Sequence, residues 1–191
     1  MDVAFSLPGS TCCALRPPPR FIFNCLLMSL NVPSELEQEF DQRITHYPVS
    51  KRSAVLPVLH ALQHHFGFIS EESVSWTAAK LELEPIKVLE VVTFYPGFRQ
   101  SAPGKYHIRV CRTLSCAMAG SYELMESICE KASIDRSGVT HQDPIAVSGD
   151  GKYSIEFAEC LASCGTGPVC LVNNDFHEKV KDVEGLLKQY S

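Results

Sequence analysis

Cysteines at 111 and 116 in VCRTLSC, and at 160 and 164 in ECLASC, are the residues best able to do chemistry in this 191-residue chain. Four residues separate Cys111 from Cys116, three separate Cys160 from Cys164, and 43 lie between the pairs. Thiolates are soft, anionic ligands, and four of them on two short loops suit zinc or an iron–sulfur cluster. Structural zinc favours tighter CxxC-type hooks that grip one small tetrahedral ion. The wider gaps here suit the larger [2Fe–2S] rhomb, each loop giving two thiolates.

The other functional signatures are absent from the sequence. No GxGxxG and no GxxxxGK[ST] occurs, and the GDGK at 149–152 reads as a turn, so nothing recognisable binds NADH or flavin. Without a CxxC, dithiol exchange is not expected either. His60 and His64 stand one helical turn apart but lack an acidic third ligand, and they read as a polar helix face. Cys129 and Cys170 read as small buried hydrophobes, while Cys12, Cys13 and Cys25 are unassigned. Arg112 has two open readings: a charge that stabilises a reduced cluster, or a solvated surface arginine.

Composition narrows the class further. A hydrophobic fraction of 45% and a charged fraction of 20% describe an ordinary globule. A net charge of −5 argues against a nucleic-acid partner, which selects a basic face. No apolar run reaches the roughly 20 residues needed to span a bilayer, so membrane association is expected only through partners. Nine cysteines, an odd number, without a secretory signal point to metal or redox use rather than to a disulfide framework.

Positioning elements follow from periodicity. Ser34 and Glu37 have capping-box spacing ahead of the stripe Leu36, Phe40, Ile44. A second helix from about Ser53 turns Val55, Leu59, Leu62 and Phe66 inward and stops at Gly67. Ser70 caps a third helix, and Pro85 opens a fourth with Ile86, Leu89 and Val92 inward. Four such short helices must pack together to bury their stripes. Beyond Gly97 the period becomes two: Tyr106, Ile108 and Val110 alternate with His107 and Arg109 in a strand leading to Cys111. A helix is expected over 120–132, strands over 154–159 and 169–173, and a last helix through Val180, Val183 and Leu187. Gly120, Gly165 and Gly167 are the positions expected to turn amides toward cluster sulfurs.

RSAVLPVLHALQHHFGFIS (52–70), VLEVVTFYPGF (88–98), PGKYHIRVC (103–111) and DGKYSIEFAECLASCGTGPVCLVN (150–173), in this order, resemble one known family. The chain is similar to the 24-kDa, or E, subunit of NADH:quinone oxidoreductase (respiratory complex I), from about Pro33 to the C-terminus. Related subunits serve NAD-linked hydrogenases and formate dehydrogenases. The resemblance implies an N-terminal helical bundle over 33–98, then a thioredoxin-like [2Fe–2S] domain over 104–191, an α+β or α/β architecture. It implies an oxidoreductase subunit with no complete active site of its own. Cys111, Cys116, Cys160 and Cys164 hold its cluster, beside a partner flavoprotein that carries FMN and oxidises NADH. It implies a cytoplasmic place on the inner face of the cell membrane, reached through the complex, or the matrix side in an organelle. A zinc-stabilised interaction module is the alternative of a different class.

Two departures from the family pattern stand out. Ala162 occupies the place of a customary glycine in the second pair, where a positive φ would be strained. THQDPIAVS at 140–148 reads as a surface insertion between the pairs. Residues 1–32 read as an N-terminal extension. The proline run 17–19 and the short apolar FIFNCLLM at 21–28 fit a start upstream of a true initiator at Met28, a weak transit peptide, or an interfacial segment.

Overall fold

The computed structural model describes residues 30–140 and 143–191; the segment 21–28 and the proline run lie outside them. Helices α1 (Ser34–Thr45), α2 (Val55–Phe66, entered through a 3₁₀ turn at Lys51–Ala54), α3 (Glu71–Leu81) and α4 (Pro85–Phe94) come first. Phe40, Val55, Val58, Leu59, Leu62, Val74, Ala78, Leu81, Val88 and Val92 form their common core.

Local signals explain most of the boundaries. Gly67 ends α2 at φ 85°, a left-handed conformation that glycine adopts freely. Ser70 Oγ accepts the Ser73 amide at 3.2 Å at the start of α3, beside Glu71 and Glu72. Pro85 opens α4 where its missing N–H is least costly.

Two helical expectations are corrected. The capping box at Ser34 does not form. Pro33 takes the N-cap and Ser34 is already helical. Glu37 instead accepts from Lys80 Nζ of α3 at 3.0 Å, tying two helices. In α4 it is Val88 and Val92 that are buried, while Ile86 and Leu89 are 54% and 37% exposed. This helix is apolar on nearly every side, so its periodicity does not select a face.

The second half is a five-stranded sheet in the order β2-β3-β1-β4-β5. Its strands are β1 (Tyr106–Cys111), β2 (Ala146–Val147), β3 (Tyr153–Ala158), β4 (Cys170–Val172) and β5 (Asp175–His177). β1 pairs in parallel with β3, with Cys111 opposite Ala158. All other pairings are antiparallel. Helices α5 (Leu114–Met118) and α6 (Ser121–Lys131) follow β1, and α7 (Val183–Gln189) closes the chain. Ile108, Val110, Ile155, Cys170 and Val172 share a core with Leu124, Met125 and Ile128 of α6 and Val183 and Leu186 of α7.

Here too the structure departs from the sequence expectation. Val180 precedes the last helix rather than lying in it. The stretch 140–148 is not wholly a surface insertion. Ile145 and Ala146 are buried, and β2 pairs with β3 through Ala146 and Val147. His107, on the alternation opposite Ile108 and Val110, is 3% exposed; its ring lies 2.9 Å from Ser154 Oγ and 3.0 Å from Glu156 Oε1. A central strand is covered on both faces, so a polar residue on it must find partners inside. Among the described residues no helix is long and apolar enough to cross a membrane.

Candidate metal centre

The parallel pairing of β1 with β3 places the two cysteine-bearing loops side by side. Cys111 is the last residue of β1, and Cys160 comes two residues after β3 ends. Cys116 does not sit on a loop as expected but inside the short helix α5. Cys164 begins a 3₁₀ turn, Cys164–Thr166. Cys111 and Cys116 are both 1% exposed and pack with Val169, with Leu161 beside them. Cys160 and Cys164 are exposed.

Hydrogen-bond donors gather on these sulfurs. Cys111 Sγ lies 3.2 Å from Thr113 Oγ1 and donates to Glu159 O at 3.7 Å. Burial pushes this thiol up, but the Thr113 hydroxyl and amide, the Leu161 amide and Cys116 together bring it below its ordinary value. Cys116 goes the other way. Burial raises it, Cys111 beside it raises it further, and Cys164 adds to the repulsion between developing thiolates. The Ala162 amide donates to Cys160 Sγ at 3.4 Å. Cys116 thus feels both Cys111 and Cys164, while the Cys160 sulfur is engaged by its own loop. Among the described residues no three His, Cys, Asp or Glu side chains already stand in ion-holding geometry.

Glycines are the amide donors expected from the sequence, and the structure uses others: Thr113, Leu161 and Ala162, with Val169 acting on Cys116. Gly120 is at φ 95° before α6, a turn role. Gly167 gives clearance: a Cβ there would stand 3.0 Å from Ala119 Cβ and 3.6 Å from Cys116 Sγ. Ala162 is at φ 58°, the left-handed region that a side chain resists. Arg112 is ion-paired with Glu159, which raises its pKa; it is not a bare solvated charge. His60 stacks on Phe98 at 4.8 Å, and Cys170 is fully buried with its pKa pushed up to about 12 by burial.

Residues 40–191 match the family description thioredoxin-like [2Fe-2S] ferredoxin. The chain belongs to that family. This match takes in both the helical half and the sheet. The relatives of this ferredoxin include the E subunit of NADH-quinone oxidoreductase from Rickettsia typhi, 36% identical over 146 residues, covering 75% of this chain and 81% of the relative. The corresponding E subunit from Aquifex aeolicus is 33% identical over 152 residues, 80% of this chain and 89% of its own. NADH-quinone oxidoreductase subunit 2 of Thermus thermophilus is 36% identical over 128 residues, 67% of this chain and 66% of its own. These relatives are subunits of an oxidoreductase.

Among solved structures, an NAD+-reducing [NiFe]-hydrogenase has a chain that superposes with a TM-score of 0.54 at 18% identity. The match covers 69% of this ferredoxin and 22% of the hydrogenase chain, and it establishes likeness of fold. The donor set fits the family's cluster chemistry: four cysteines, one ending β1, one in α5 and two on the stretch after β3, with the Ala162 amide donating to sulfur.

Proposed function

We propose that this ferredoxin is the electron-transfer subunit of an NADH-quinone oxidoreductase, holding one [2Fe–2S] cluster on Cys111, Cys116, Cys160 and Cys164. Its partner in this reading is a flavoprotein subunit that carries FMN and takes hydride from NADH. The observation that supports it most is the 33–36% identity to such subunits over most of the chain. The hydrogenase likeness, at 18%, bears on fold alone.

When bound, the cluster supplies a site that gains or loses one electron at a time, beside a flavin that handles two. The chain's own residues do the rest. Cys111 at the buried end of β1 and Cys116 in α5 would hold the cluster together with Cys160 and Cys164 of the exposed loop. Amides of Thr113, Leu161 and Ala162 spread the thiolate charge. The residues 33–98 serve as a helical docking module, with Ile86, Leu89 and Phe94 exposed on it, and 104–191 as the cluster domain behind the N-terminal extension 1–32. Membrane association runs through partner subunits, on the cytoplasmic face of the cell membrane or the matrix side in an organelle.

Mixing the cluster-loaded chain with NADH tests this reading. The chain alone stays oxidised and shows no NADH or FMN binding by calorimetry; adding the NADH-oxidising flavoprotein reduces it. Micromolar NADH binding to the chain alone would overturn the proposal.

A further inference from the structure

The two cysteine pairs are held in very different ways. Cys111 and Cys116 are 1% exposed and anchored in regular elements over a core. Cys160 and Cys164 are exposed on the stretch between β3 and β4, whose only regular structure is the three-residue turn Cys164–Thr166. Within it Ala162 is left-handed, against the preference of an L side chain, and a Cβ on Gly165 would meet nothing within 4 Å. Leu161 and Val169 pack its two ends against Cys111 and Cys116, while residues 162–166 between them are exposed or half-buried and need a holder from outside.

The segment after β5 is that holder. Glu178 Oε1 accepts from Ser163 Oγ and, at 2.6 Å, from Thr166 Oγ1. These hydroxyls flank Cys164 and stand 2.5 Å from each other, with Thr166 Oγ1 also 3.2 Å from Ser163 O. The next two amides continue the clasp: Lys179 N–H donates to Thr166 O at 2.9 Å and Val180 N–H to Pro168 O at 3.1 Å. Three consecutive residues thus strap residues 163–168 down beside α5, where Gly167 meets Cys116.

We propose that Glu178 is a positioning residue of the metal centre: by clasping Ser163 and Thr166 it holds Cys164 beside Cys116, where a shared cluster can form. This role rests on the ligand reading above. The clasp then controls how long the cluster is retained.

The test is the rate at which a chelator bleaches the cluster-loaded full chain. Glu178→Ala should bleach about tenfold faster, as expected when a charged acceptor shared by two hydroxyls is lost. Glu178→Gln, whose amide oxygen still accepts, should stay within about twofold of the parent. Ser163→Ala with Thr166→Val removes those bonds from the other side, together with the 2.5 Å contact between the two hydroxyls and the Thr166 bond to Ser163 O, and should bleach at least as fast as Glu178→Ala. Combining all three changes should then be no faster than the Ser163/Thr166 pair alone. If Glu178→Ala does not fold, the Ser163/Thr166 pair carries the same comparison. An unchanged rate in the disrupting variants, full additivity, or Glu178→Gln as fast as Glu178→Ala overturns the proposal. A parent chain without iron and sulfide would instead overturn the ligand reading itself.

Discussion

Arg112 and Glu159 form an ion pair that joins the residue after Cys111 to the residue before Cys160. The backbone reinforces it, since Arg112 N–H donates to Ala158 O at 3.0 Å. Both side chains are about half exposed, at 45% and 62%, so the pair contributes little to stability. Its effect falls on the charge felt by a neighbouring cluster. Arg112→Gln alone leaves an uncompensated carboxylate and should lower the reduction potential. Glu159→Gln leaves the guanidinium and should raise it, each by some tens of millivolts at low salt and less at high salt. The double variant should return close to the parent value in a redox titration; two shifts of the same sign would contradict the pairing.

Cys170 and Cys111 lie on opposite faces of the sheet. Cys170 pairs with Val110 in β4 and faces α6 and α7, whereas Cys111 follows the other alternation with His107 and Arg109. A thiol pushed up to about 12 by burial remains protonated in the core. Cys170→Ala should therefore keep the visible spectrum and cost about 1 kcal/mol in packing. Cys164→Ala should abolish or severely lower the cluster yield. Bleaching by the first and not by the second would reverse the assignment.

Ala162 at φ 58° carries strain that glycine would relieve. The left-handed conformation costs an L residue roughly 1–2 kcal/mol, and the added freedom of glycine in the unfolded chain takes back roughly 0.5–1 kcal/mol. Ala162→Gly should therefore raise the melting temperature of the metal-free chain by up to roughly 6 °C. A fall in melting temperature would show that the loop does not hold this conformation in solution.

Lys80 of α3 donates to Glu37 and lies 2.8 Å from Asp41, both on α1. Burial lowers its pKa, but the bonds to Asp41 and Glu37 outweigh this and leave it above the ordinary 10.5. A raised folded value stabilises the protein below the unfolded pKa and stops doing so as pH climbs through the folded one. Lys80→Met should thus melt lower than the parent at neutral pH, the gap closing above about pH 10.5. A gap unchanged across that range would assign the difference to packing of the lysine stem alone.

Features legible in the sequence were those whose cause is local. Gly67, Ser70 and Pro85 mark helix ends because each satisfies or removes a terminal backbone group in its own turn. Phe40, Leu59 and Val92 lie on helical stripes. Short elements left no trace: β2 has two residues, β5 three and α5 five, too few to show a period. The burial of His107 depends on Ser154 and Glu156, 47 and 49 residues away, and so on strand register. At the candidate site the four cysteines stand out by type and spacing. Their supporting groups do not, because which amide meets sulfur is decided by backbone angles, and Glu178 joins the loop only through the tertiary fold.

In the proposed reading this chain holds a two-iron cluster on Cys111, Cys116, Cys160 and Cys164. The most direct test is the iron, zinc and acid-labile sulfide content of the purified full chain, with its reduced-state electron paramagnetic resonance spectrum. Two irons and two sulfides per chain, visible absorption, and a one-electron signal on reduction are the expected result. A colourless protein with stoichiometric zinc and no resonance would contradict it and leave the cysteines a structural role.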